Sequence, residues 1–135
     1  MTTNADITVY NRKYDPTSRE YRWLRTVILG VSSYINENSS AVNDAARNEN
    51  SAVFRVPKES EAYKTYLTPY EYEYATHPEG FWTFAPGDII VLGVCQKKKI
   101  TGEATLINAG IKPFRISSAS DNRRGTLPHL RARCE

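Results

Sequence analysis

The run Ile89-Ile90-Val91-Leu92, delivered by the turn Pro86-Gly87-Asp88, constrains this chain more than any other feature. Consecutive apolar residues bounded by turn chemistry read as a buried strand, too short for a core helix. The lysine triplet Lys97-Lys98-Lys99 ends the segment. A buried strand needs partners, and the sequence supplies them. Phe114-Arg115-Ile116-Ser117-Ser118 and Leu130-Arg131-Ala132-Arg133-Cys134 both alternate apolar and polar. Asp121-Asn122-Arg123-Arg124-Gly125 lies between them with the composition of a hairpin turn.

The first half follows the same logic. Ile7 to Tyr10 alternates with the strand period. Residues 11–18 form a turn cluster centred on Asp15-Pro16. Residues 21–29 resume as a strand, paired with the first as a hairpin. Gly30 breaks that run, and residues 31–35 continue it after a kink or bulge. Ala52-Val53-Phe54-Arg55-Val56 is a further strand that stops at Pro57. Residues 37–51 carry almost nothing to bury and read as an exposed, flexible loop. Their asparagines and serines compete with a helical backbone. Thr101 is placed to cap a short helix over residues 102–109, closed by Gly110.

Residues 58–84 form a tyrosine-rich excursion. Glu59 to Tyr66 has the composition for two helical turns. Tyr70, Tyr72 and Tyr74 then stand at every second position. That spacing puts the three rings on one face if the segment is extended and spreads them if it is helical. The rings either cover one side of a barrel or form an arm for a neighbouring subunit. Residues 1–135 therefore read as one mainly β domain. The expected architecture is a small β-barrel or sandwich of six to seven short antiparallel strands, with one or two short helices and a long exposed loop.

Composition excludes more than it selects. The net charge of +3 over 135 residues gives no strong field for nucleic acid or membrane. The polar start offers no basic region followed by an apolar run, and no window is long enough to span a bilayer. Cys95 and Cys134, without a secretion signal, read as reduced thiols. Neither C-x-x-C nor H-x-x-x-H spacing is present, so no metal or other cofactor is expected. There is no glycine-rich phosphate loop and no Gly-x-Ser-x-Gly elbow. His77 lies in a turn, and His129 opens the last strand as a structural histidine. Glu71 and Glu73 keep the tyrosine segment soluble, because nothing else supports a glycosidase pair. No catalytic residue is expected. The lysine triplet and Arg123-Arg124 read as polar turns that protect strand edges, with phosphate contact as the alternative.

Three blocks resemble a known family. Thr8-Val9-Tyr10-Asn11-Arg12, Phe81-Trp82-Thr83 followed by Pro86-Gly87-Asp88-Ile89-Ile90-Val91-Leu92-Gly93, and Ser118-Ala119-Ser120-Asp121-Asn122-Arg123-Arg124-Gly125 are similar to small proteins of unassigned domain type. Those are encoded among the minor capsid and neck genes of tailed phages and prophages of Gram-positive bacteria. The C-terminal half also resembles head–tail adaptor, or head-closure, proteins of long-tailed phages. The resemblance implies a non-enzymatic homo-oligomeric ring between portal–adaptor and tail, in passing contact with genomic DNA. It implies location in the virion neck, with the host cytoplasm before assembly, and no membrane partner. The long 58–84 excursion departs from the shorter adaptors. Expected subunit contacts are Tyr70, Tyr72, Tyr74 and Trp82, and Arg123 and Arg124 form the expected channel- or partner-facing turn. The alternatives are a tail-completion ring protein and a small barrel that binds single-stranded nucleic acid or peptide.

Overall fold

The computed structural model describes residues 3–38 and 49–135, with backbone alone for residues 37, 38, 49 and 50. In chain order it contains β1 (Ala5–Asp15), β2 (Glu20–Asn38), β3 (Glu49–Pro57), a 3-10 turn (Glu61–Thr65) and α1 (Pro69–Glu73). These are followed by β4 (Ile89–Leu92), α2 (Glu103–Asn108), β5 (Phe114–Asn122) and β6 (His129–Cys134). The strands close into an antiparallel barrel in the order β1-β2-β3-β6-β5-β4. Closure removes most of the unpaired edge that an open sheet would expose.

The strands are not all short. β2 is 19 residues long and serves two partners in succession. Its first part pairs with β1, from Asp15↔Glu20 to Ala5↔Val31, and its second part pairs with β3, from Ser32↔Arg55 to Asn38↔Glu49. The change of partner falls between Val31 and Ser32, just after Gly30, whose φ of +74° is a conformation that side chains disfavour. There the register of β1 slips between Ala5 and Ile7, and the Asp6 carboxylate accepts the Gly30 N–H at 3.0 Å. This is the bulge expected at Gly30.

The turn placed at residues 11–18 is shorter than expected. Asn11 to Asp15 continues β1, and only residues 16–19 turn, with Arg19 at φ 56°. Local turn composition is overridden because each of these residues gains a ladder partner on β2. The expected 37–51 loop is likewise narrowed by strand at both ends, and residues 39–48 lie outside the described residues.

Two apolar clusters explain the unbroken run in β4. Val9 and Ile90 face each other inside the barrel, among Ile7, Ile28, Phe54, Phe84, Phe114 and Leu130. The neighbouring pairs, Tyr10 with Ile89 and Thr8 with Val91, point outwards. Tyr10, Ile89 and Val91 pack beneath Cys95, Ile100 and Leu106. A strand covered on both faces has no solvent side to make polar. The outer cover is anchored by polar contacts. The Thr8 hydroxyl donates to the Gly93 carbonyl and accepts from the Cys95 N–H, each at 2.8 Å. Arg25 Nε donates to the Cys95 carbonyl at 2.8 Å.

The helix of this cover is Glu103–Asn108, inside the expected span, but Thr101 does not cap it. Gly102 occupies that position, while the Thr101 N–H donates to the Thr105 hydroxyl at 3.1 Å. Gly110 ends the helix with φ +77°, as expected. Cys95 and Cys134 are free, buried thiols, and burial pushes Cys134 up to about 12. Among the described residues no helix is long and apolar enough to cross a membrane.

Candidate functional site

The tyrosine-rich excursion holds the main correction to the sequence reading. It does not lie extended across the outside of the barrel. Its middle forms α1, which begins with a capping box: the Thr68 hydroxyl accepts the Glu71 N–H at 3.2 Å, and the Glu71 carboxylate accepts the Thr68 N–H at 3.0 Å. Pro69 at the first helical position fits the same start. These bonds hold the Glu71 carboxyl below its ordinary range. The sequence Thr68-Pro69-Tyr70-Glu71 was the available signal, and the alternating tyrosines masked it.

A helix separates the three tyrosines. Tyr70 and Tyr74 stand one turn apart with ring centroids 4.9 Å apart, and both are exposed. Tyr72 turns the other way and is buried. Trp82 is fully buried: its ring sits between Tyr66 and Phe84 at 5.0 and 4.8 Å, and its Nε1–H donates to the Ala62 carbonyl at 2.8 Å. The contact surface expected from Tyr70, Tyr72, Tyr74 and Trp82 therefore reduces to Tyr70 and Tyr74. The other two serve the core of their own chain.

The 3-10 turn replaces the two α-turns expected at residues 59–66. Leu67 N–H donates to the Trp82 carbonyl and Trp82 N–H to the Thr65 carbonyl, so the excursion enters and leaves the core side by side. Arg123 is engaged within the β5–β6 turn. It forks onto Asp121 through Nε and Nη2, at 2.8 to 2.9 Å and 2.6 Å, and lies over the Tyr66 ring at 5.3 Å. The pairing holds Asp121 below its usual range. Arg124 is exposed beside it, and the strand holds Asp121 and Asn122, which were expected in the turn. His129 fills the structural part expected of it: Nδ1 lies 2.7 Å from the Leu127 carbonyl and Nε2 lies 3.1 Å from Asn122 Nδ2.

A cleft of about 440 Å³ lies between the β1–β2 hairpin and α1. Arg12, Tyr14 and Tyr21 form one wall, and Tyr72, Tyr74 and Pro69 form the other. Its base is fixed by Asp88. Asn11 Nδ2 donates to Asp88 Oδ2 at 2.9 Å, and the Arg12 N–H donates to Asp88 Oδ1 at 3.1 Å. Burial pushes Asp88 up to about 6, against the pull of these bonds. Lys13 spans the cleft by donating to the Tyr72 and Glu73 carbonyls at 2.9 and 2.8 Å. The Arg12 guanidinium lies 4.7 Å from the Tyr21 ring centre, and the Tyr14 and Tyr21 rings meet edge to face at 5.3 Å. The Tyr72 hydroxyl is buried and has no hydrogen-bond partner among the described residues.

The sequence reading missed this site. Its signal was Tyr10, Arg12 and Tyr14 at strand period, which the turn assignment concealed. Chemically, the cleft offers aromatic walls and one guanidinium, and two of its lining residues, Tyr72 and Thr83, carry buried hydroxyls without a partner among the described residues. Among the described residues no group of three or more His, Cys, Asp or Glu is placed to hold a metal ion.

No curated protein and no solved structure matches the chain. A family model, by contrast, spans it from end to end: the chain belongs, over residues 1–135, to DUF6751, a family of unknown function.

Proposed function

We propose that this chain is a structural virion protein of a tailed phage or prophage, a head-closure or head–tail connector subunit that works as a homo-oligomeric ring. The observation that carries the reading is the form of the barrel. Past the closed six-strand wall the β1–β2 ribbon projects, because β4 pairs with β1 only from Ile7 to Tyr10 while β2 pairs as far as Asp15. Around that ribbon the tyrosines Tyr14, Tyr21, Tyr70 and Tyr74 are all exposed. Tyrosine supplies contact area with little entropy loss, and rings need two unlike faces that match. The ribbon side is one candidate face, and the exposed Arg124 of the β5–β6 turn marks another for the neighbouring subunit. The strand-dominated barrel favours this reading over a tail-completion ring, which would bring an α/β fold.

Electron microscopy of the purified protein and of induced particles tests it. Rings, or density for the chain at the portal–tail junction, support the proposal. A strictly monomeric protein absent from particles overturns it.

A further inference from the structure

The cleft has a property of its own, independent of ring formation. Gly93 N–H donates to the Asp6 carbonyl, and Arg12 N–H donates to Asp88. Backbone groups of even-numbered β1 residues therefore point away from β2, towards the β4 side. The Tyr14–Tyr21 pair is accordingly a non-hydrogen-bonded pair, in keeping with its close ring contact. β4 ends its pairing opposite Tyr10. Among the described residues, the Arg12 carbonyl and both backbone groups of Tyr14 then form an unpaired strand edge along the cleft.

We propose that this edge is a docking site for an extended acidic peptide segment of a partner protein, added as a strand beside Arg12–Tyr14. The backbone supplies the first requirement, since a free edge is satisfied by another strand. The walls supply the second: Tyr14, Tyr21 and Tyr74 with Pro16, Pro69 and Pro86 line a volume within the range of ligand sites. Tyr72 adds to the lining of the cleft, while its hydroxyl is buried and without a hydrogen-bond partner among the described residues. Arg12 sets the charge. Its guanidinium has no ion pair among the described residues and lies over the Tyr21 ring, 4.7 Å from its centre, where a carboxylate could pair with it. Asp88 attracts the Arg12 charge but forms no ion pair with it among the described residues: its carboxylate oxygens are taken by Asn11 Nδ2 and the Arg12 N–H, and Glu73 lines the cleft as its second acid.

The test uses the full chain and two capped heptapeptides of alternating valine with glutamate or with lysine. Backbone amide NMR is the readout. The glutamate peptide is expected to shift Arg12, Tyr14 and Tyr74 saturably and to slow exchange of the Tyr14 amide, and the lysine peptide is not. Tyr14→Pro removes the edge-facing N–H together with the Tyr14 ring, and is expected to weaken binding at least about tenfold more than Tyr14→Ala, which removes the ring and keeps the N–H. Arg12→Glu, which leaves the backbone edge intact, is expected to reverse the preference towards the lysine peptide. Absence of shifts at millimolar peptide, equal response to both peptides, or Arg12→Glu without effect would overturn the proposal. Protection of Tyr14 that grows with protein concentration alone would also overturn it, in favour of a second copy as occupant.

Discussion

Asn11 and Asp88 lock the first strand to the turn before β4. Asn11 Nδ2 reaches Asp88 Oδ2 at 2.9 Å and the Thr83 carbonyl at 2.6 Å, and Asn11 Oδ1 accepts the Thr83 N–H at 3.2 Å. Both residues are buried. Every polar atom of the Asn11 side chain is thus engaged, and Asp88 is the only carboxylate among the buried polar and charged residues described. The lock sets the floor of the cleft and the start of the β4 strand with one contact set.

The lock makes stability depend on pH. Asp88 titrates at about 6 in the fold against its ordinary value of 3.8. In that interval the unfolded chain releases the proton and the folded chain keeps it. The contribution of Asp88 is therefore full below the unfolded value and is lost as the pH rises through about 6. The swing is at most about 3 kcal/mol, from some two units at ~1.4 kcal/mol each. Asp88→Asn has no such proton. Urea unfolding of both proteins from pH 4 to pH 8 should show the variant gaining on the parent as the pH rises. A constant difference across that range counts against the buried carboxyl.

The aromatic residues divide by depth, and substitutions should divide with them. Trp82→Ala empties a fully buried site and removes the bond to the Ala62 carbonyl. The expected loss is about 3–5 kcal/mol. Tyr70→Ser with Tyr74→Ser removes exposed rings and should leave stability within about 0.5 kcal/mol per site. If the ring reading holds, the same double variant should abolish assembly while melting like the parent. Thermal unfolding together with light scattering separates the two effects.

Much of the fold was legible because strand period and turn chemistry agreed over β4, β5 and β6. The places where the reading slipped share a cause. Residues 11–15 look like a turn locally, yet become strand through partners on β2. Tyr70, Tyr72 and Tyr74 look like one extended face, yet the capping box of Thr68 and Glu71 turns the segment into a helix. Trp82 carries no mark of its depth in its own neighbourhood, because Tyr66 and Phe84 reach it only once the excursion folds back. The cleft depends on both misread segments meeting, so it could not be assembled from either alone.

The capping box predicts a local effect. Thr68→Ala leaves the Glu71 N–H without its acceptor and should cost about 0.5–2 kcal/mol. Because α1 carries one wall of the cleft, the loss should surface as faster amide exchange through residues 69–74 rather than across the barrel. Uniform acceleration at β1 and β6 would show that α1 does not open independently.

The thiols give a last test of burial. Cys134 is fully buried at the end of β6, where its neighbours on β3 and β5 are Ala52 and Ile116. Its thiol is pushed up to about 12 by desolvation alone. The thiolate is the reacting species, so at pH 8 it should be almost absent in the folded protein. A chromogenic disulfide reagent should therefore label Cys134 at a rate set by opening of the barrel, and labelling should become rapid in denaturing urea. Cys134→Ser should remove that slow phase. Rapid labelling of Cys134 in native buffer would mean that β6 separates from β3 or β5 far more readily than its pairing on both sides implies.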